Sequence, residues 1–170
     1  MRLRSIASGS SGNCIYIGSD STHLLVDVGI SGKRVEEGVH SLDLPMDAID
    51  AILVTHEHAD HIAGLGVIAR RYSIPIYLTG GTMKAVLGTS YVGKIDRELF
   101  HVIRQDERFT IKDITVNPMK ISHDAAEPVA YRFAHGKQRA AIVTDLGTYN
   151  DYTVECLKGM DALFLEANHD

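Results

Sequence analysis

Val54-Thr55-His56-Glu57-His58-Ala59-Asp60-His61 follows directly on the apolar run Ala51-Ile52-Leu53 and gathers three imidazoles and the carboxylate of Asp60 into six residues. Neutral imidazole and carboxylate are ligands for borderline or hard divalent ions, whereas a structural zinc usually recruits thiolates. The two cysteines, Cys14 and Cys156, stand far away in the chain. A mixed nitrogen and oxygen donor set usually leaves a coordination position for water, so the stretch reads as an enzyme's metal site. His56 and His58 sit two apart, and in an extended segment leaving a strand they face the same way and can grip one ion. Asp60 and His61 fall where the chain turns into a helix, expected from 60 to about 71, so their side chains diverge towards a second ion.

Upstream, short strands are expected over residues 3–7 and 14–17, on either side of Ser8-Gly9-Ser10-Ser11-Gly12-Asn13. A loop this rich in small residues lets backbone approach a ligand closely, and its successive amides can form an anion-binding concavity. Ser10, Ser11 and Asn13 are the candidate substrate contacts. Thr22-His23-Leu24-Leu25-Val26-Asp27-Val28-Gly29 is a buried strand that ends in a carboxylate and then a glycine turn. An aspartate in that position is costly unless it is hydrogen-bonded or near a cation, so Asp27 is expected to orient a metal-site histidine or loop. Ser31 caps a helix running to about 42, with Val35, Val39 and Leu42 turned inward.

Downstream, Ile74-Pro75-Ile76-Tyr77-Leu78 is a strand and Gly80-Gly81-Thr82 opens a helix to about 87. Strand and helix in alternation imply an α/β layered core. Further strands are expected over 98–103, 108–111 and 114–119. The polar loop Lys120-Ile121-Ser122-His123-Asp124-Ala125-Ala126-Glu127-Pro128 follows, and His123 is the expected third nitrogen ligand beside His56 and His58. Strands over 129–134 and 138–144 form a hairpin around His135-Gly136-Lys137, which makes His135 a turn residue. Asp145, before Leu146-Gly147, repeats the arrangement of Asp27, and its position suits a carboxylate bridging two ions. Asn150 precedes a helical segment ending near 158, and a last strand leads into Glu166-Ala167-Asn168-His169-Asp170.

The pattern of His56, His58, Asp60 and His61 resembles the His-x-His-x-Asp-His signature of the metallo-β-lactamase fold. Taken with the Gly/Ser loop, Val26-Asp27-Val28-Gly29, the His123 loop, Thr144-Asp145-Leu146-Gly147 and the Glu-Ala-Asn-His-Asp ending, it resembles the YycJ/WalJ family over essentially the whole chain. That resemblance implies an α/β four-layer αββα sandwich, a two-metal hydrolase site and a DNA exonuclease activity associated with repair. It places His56, His58 and His123 on the first ion, Asp60 and His61 on the second, and Asp145 as the bridge. Asp27 would support them, and Asp60, His61 and Asp145 are the expected catalytic residues. The family pattern continues past residue 170 and gives a further histidine to the second ion, so the sandwich is expected to be C-terminally incomplete. His169 is a candidate for protonating the leaving oxygen.

Composition agrees with these expectations. At 170 residues, 45% hydrophobic and 23% charged, the chain suits one domain, 1–170, with material for a core. No run approaches a membrane span and the N-terminus lacks the apolar stretch of a signal peptide, so a cytoplasmic location is expected. The two cysteines read as small buried side chains without a disulfide. The net charge of -5 includes carboxylates expected to hold metal, and two divalent ions would offset most of it. Acidity therefore does not exclude DNA as the substrate, although no basic run advertises it. Imidazole with carboxylate accepts zinc, manganese or iron. Two such ions roughly 3.5–4 Å apart can share a water, lower its pKa towards about 7 and stabilise an in-line phosphoryl displacement. A hydrolase of small-molecule esters, thioesters or lactams on the same fold is the alternative enzyme reading, and an inert metal-binding fragment is the alternative outside enzymes.

Overall fold

Alternation of side chains along strands buried on both faces decides the layering. On β2 (Cys14–Gly18), β3 (His23–Val26) and β4 (Ala51–Leu53), Tyr16, Leu25 and Ile52 turn to one side, while Ile15, Ile17, Leu24, Val26, Ala51 and Leu53 turn to the other. Both sets are covered, which is why these segments read as continuous apolar runs. The computed structural model describes residues 1–146, 148 and 150–166. Gly147 and residues 167–170, with the acid candidate His169, lie outside the described residues.

The first sheet runs β1 (Arg2–Ala7), β2, β3, β4, β5 (Ile76–Thr79) and β6 (Phe100–Ile103), antiparallel through β3 and parallel from there. In the second, β7 (Phe109–Ile111), β8 (Ile114–Lys120), β9 (Val129–His135) and β10 (Gln138–Val143) form an antiparallel meander. There β11 (Ala162–Leu165) lies parallel to β10 at the edge.

Helices α1 (Gly32–His40), α3 (Leu65–Tyr72) and α4 (Gly80–Leu87) cover the outer face of the first sheet, setting Val35, Val39, Leu65, Ile68 and Val86 on the layer of Tyr16, Leu25 and Ile52. The two sheets meet through Val26, Leu53, Val116, Tyr131, Phe133 and Ile142. On the far side α5 (Asp151–Leu157) lays Leu157 and Cys156 over Met119, Ala130, Ala141 and Val143. The four layers are therefore α, β, β and α. Ser31 caps α1 by accepting from the Arg34 N–H, and Asn150 and Thr153 form a reciprocal cap on α5.

Three expectations are corrected. His135 is not in the turn but ends β9, paired with Gln138, and the turn is Gly136-Lys137. The single helix over 60–71 is two, α2 (Ala59–Ile62) and α3, because Gly64 turns its N–H to the Val28 carbonyl at 2.9 Å. A Cβ at Gly64 would lie 2.0 Å from the Ile30 carbonyl oxygen, so tight packing sets the break where helical spacing alone continues. Cys156 is only half-buried, whereas Cys14 is fully buried, and both are free thiols.

At the base of the sandwich the sheets are tied by one carboxylate. Asp113, in the turn between β7 and β8, accepts from the hydroxyls of Ser19 at 2.8 Å, Ser21 at 2.9 Å and Thr22 at 2.5 Å, and meets His135 Nε2 at 3.0 Å. These partners, Thr22 first, hold its carboxyl well below the usual range. No helix among the described residues is long and apolar enough to cross a membrane.

Candidate metal centre

The strands of both sheets deliver their chemistry at the end opposite Asp113. The segment after β4 stays extended, held by Tyr131, whose hydroxyl donates to the Val54 carbonyl at 2.7 Å, and by the Val129 N–H on the Thr55 carbonyl at 3.1 Å. His58 is the N-cap residue of α2, so the chain turns immediately after it and His61 is carried to the opposite side of His56. Gly29 makes that turn possible, since a Cβ there would meet the Asp60 carbonyl oxygen at 1.7 Å.

Two donor groups result. His56, His58 and His123 offer one nitrogen each within 4.8 Å of one another, and His56, His61 and Asp145 offer two nitrogens and a carboxylate oxygen at the same spacing. His123 Nε2 lies 3.3 Å from His58 Nδ1. Asp145 Oδ2 lies 2.5 Å from His61 Nε2 and 3.4 Å from His56 Nε2. Asp60 Oδ2 stands 3.5 Å from His61 Nε2. The His56 Nε2 atom is buried with no hydrogen-bond partner. Three imidazoles converging on a point, with the buried Nε2 of one of them unpartnered, suit a cation at that point.

Electrostatics give the two groups different characters. Burial, with the neighbouring imidazoles, pushes His56 down to about 2, and burial also lowers His123, so both are neutral donors at physiological pH. Burial alone would lower His61 too, but the Asp27, Asp145 and Asp60 carboxylates outweigh it and raise it to about 10. The pocket around His61 thus stabilises positive charge, as a divalent cation requires.

Asp27 and Asp145 close the centre in the same way, each at the end of an apolar strand and each in the left-handed region, with φ of 66° and 53°. Such a conformation is uncommon for a residue with a Cβ but tolerated by aspartate. Asp27 Oδ1 accepts from the Thr55 N–H at 2.8 Å, and Oδ2 accepts from the Thr55 hydroxyl at 2.7 Å and faces His61 Nδ1 at 2.5 Å. That contact turns Nε2 of His61 towards Asp145.

The Gly/Ser loop divides. Ser10 and Ser11 are exposed, whereas Asn13 is buried, and its amide donates to the Asp60 carbonyl at 3.2 Å and lies 3.3 Å from both Asp60 Oδ2 and His61 Nε2. The side chain is used inside the centre and not offered to a ligand.

Four further residues belong to the centre or hold its His123 loop and were not singled out from sequence. Thr55 sits between Asp27 and both His56 and His61; a hydroxyl after an apolar strand carries no signal of its own. Glu166 repeats the pattern of a carboxylate ending an apolar strand. Burial first and then Asp145 raise its pKa, and its Oε2 is buried without a partner. Glu127 anchors the loop of His123: its Oε1 accepts from the Gly81 N–H at 2.8 Å and its carbonyl from the Thr79 hydroxyl at 2.9 Å. Glu57 holds the same loop through the Ala126 N–H at 3.0 Å. Glu127→Ala is expected to weaken metal binding by about 10–100-fold, the usual cost of losing a residue that orients a ligand. Glu127→Gln, which keeps an acceptor for Gly81, should restore most of it; competition titration against a chromogenic chelator measures both.

Comparison with known proteins bears on this geometry. Residues 22–170 match the family described as beta-lactamase superfamily domain. The exodeoxyribonuclease YycJ of Bacillus anthracis is 41% identical over 165 residues, 97% of this chain and 62% of the relative. The exodeoxyribonuclease WalJ of Streptococcus pneumoniae serotype 2 is 38% identical, over 97% of this chain and 61% of the relative. The chain thus spans about three fifths of the length of these curated relatives. Among solved structures, the Rm3 metallo-beta-lactamase superposes with a TM-score of 0.75 at 14% identity, covering 97% of this chain and 74% of that one. A diphosphatase of the PhnP family gives 0.75 at 24% identity, covering 96% and 72%.

Proposed function

Since the chain belongs to the beta-lactamase superfamily and carries the metallo-β-lactamase fold, we propose that it is a metal-dependent phosphodiesterase, an exonuclease acting on DNA in the cytoplasm through two divalent ions. One observation carries this reading: the Asp145 carboxylate lies between two sets of donors, 2.5 Å from His61 and 3.4 Å from His56. His56 has a single nitrogen to give, because its Nδ1 lies 3.0 Å from the Thr55 hydroxyl. The family resemblance assigns that nitrogen to the set with His58 and His123; His61 and Asp60 would form the second set, with Asp145 shared. Zinc, manganese and iron all suit these donors.

Bound there, a pair of divalent ions supplies Lewis-acid stabilisation of a phosphoryl group and lowers the pKa of water towards about 7. The protein's own part is positional. Asp27 and Thr55 fix the His61 ring, Glu57 and Glu127 fix the loop of His123, and the exposed Ser10 and Ser11 hydroxyls stand available to an incoming phosphate. No serine or cysteine nucleophile is required, and Cys14 is unsuited to the role because burial raises its thiol far above the usual range. DNA as the substrate is supported by the two relatives named exodeoxyribonucleases.

The test is metal content by elemental analysis of chain purified without chelator, followed by nucleotide release from end-labelled DNA. Two ions per chain and metal-dependent release are expected. Turnover of a thioester with no release from DNA would move the substrate to small molecules, and one ion or none without turnover would reduce the chain to a metal-binding unit.

A further inference from the structure

On the outer face of the second sheet, away from the metal centre, three guanidinium groups line one cleft of about 140 Å³. Arg132 comes from β9, Arg139 from the start of β10 and Arg108 from just before β7, with Thr115 and Asn117 of β8 beside them. Exposed arginines without partners are ordinary. Arg132 is different, because of the ten arginines in the chain it is the one that is not exposed. Its Nε is shut off from solvent without a hydrogen-bond partner, and so is Oδ1 of Asn117, its register partner across β8 and β9.

Among the described residues none of the three guanidinium groups makes a hydrogen bond or an ion pair. Asp161 is near, but it accepts from the Arg139 backbone N–H at 2.8 Å and not from the side chain. Elsewhere some arginines are paired, as Arg71 is with Glu36 and Arg70 with the carbonyls of Val92 and Lys94, and those left unpaired are exposed. A protein with net charge -5 has carboxylates to spare, yet this cleft has gathered cations and left them unpaired.

A half-buried guanidinium is unfavourable without a partner, and its planar fork matches the oxygens of a phosphate in pairs. The unsatisfied Asn117 oxygen adds a need for a donor, which the hydroxyl of a free phosphate compound can meet and an internal phosphodiester cannot. We propose that this cleft is a phosphate-binding site separate from the metal centre. Arg139 is the second residue of β10 and Asp145 follows its end, which puts the two sites roughly 20 Å apart at the rise of an extended strand. The phosphate belongs either to the backbone of a nucleic acid or to a free phosphate compound, and the site stands whether or not the metal centre cleaves DNA.

The experiment uses the full chain stripped of metal with chelator, so that the metal centre does not bind the probe. Calorimetric titrations with pyrophosphate and with a single-stranded oligodeoxynucleotide lacking terminal phosphates are compared among three proteins: the unaltered chain, Arg132→Gln, and the double variant Arg108→Ala with Arg139→Ala. The exposed pair in the double variant keeps the test independent of any folding defect in Arg132→Gln. Saturable, salt-sensitive binding of at least one probe is expected, weakened about 10-fold or more in both variants, as loss of a charged hydrogen bond implies. If the oligonucleotide weakens, the backbone is the ligand; if only pyrophosphate does, the ligand is a free phosphate compound. Absence of saturable binding for both probes, or affinities unchanged in the double variant, would overturn the proposal.

Discussion

His58→Ala is expected to lower bound metal per chain and to reduce phosphodiester hydrolysis to background, while His135→Ala leaves both unchanged. His58 is one of three imidazoles converging on a single point, 3.3 Å from His123, and without it only two nitrogens remain in that set. Loss of a ligand should exceed the roughly 10–100-fold cost of losing a residue that merely orients one. His135 carries the same functional group at the other end of the sandwich, where it meets Asp113 at 3.0 Å with more than a third of its side chain exposed. An exposed pair of that kind contributes about 0–1 kcal/mol. Elemental analysis and a hydrolysis assay on the two variants decide the matter, and equal losses in both would refute the placement of the metal centre.

The second large effect falls on stability. Asp27 is 1% exposed and accepts from two groups of Thr55 while facing His61 Nδ1. Asp27→Ala leaves all of them buried without an acceptor, and breaking a buried charged pair on one side costs about 3–5 kcal/mol. In a chain of this size that corresponds to a fall in melting temperature of roughly 6–20 °C. Alanine also fits poorly at a φ of 66°, whereas asparagine tolerates it. Asp27→Asn should therefore retain more stability, yet still lower metal affinity by about 10–100-fold, because one amide cannot serve both Thr55 and His61. Thermal melts and metal titrations on the two variants separate these contributions; a melting temperature for Asp27→Ala within a degree of the unaltered chain would refute the role given to Asp27.

Much of this architecture was legible before any coordinates, for physical reasons. Strands buried on both faces leave unbroken apolar runs, and Ser31 and Asn150 are caps whose chemistry is local. Pairings across the fold were not legible. That Asp27 should support a histidine follows from the cost of burying a carboxylate, but that the histidine is His61 depends on how β3 and α2 pack. Helical spacing likewise cannot report the contact between Gly64 and Ile30 that splits α2 from α3. Asn13 reads as a loop residue open to substrate until the loop is folded against Asp60. Arg132 is hardest of all, since a charged residue alternating with Tyr131 and Phe133 looks like any solvent-facing position of a strand.

The Asp113 tie at the base has a further consequence. It joins the sheets through hydroxyls that have no part in holding metal, and the apolar layer between the sheets lies between it and the centre. Assembly of the scaffold and loading of its cation are therefore separable events, unlike in small zinc modules that collapse when their ion is withdrawn. Such separability leaves the ligand end open to change: donors can be exchanged for ones suited to another ion, or to another leaving group, while the opposite end keeps the two sheets in register.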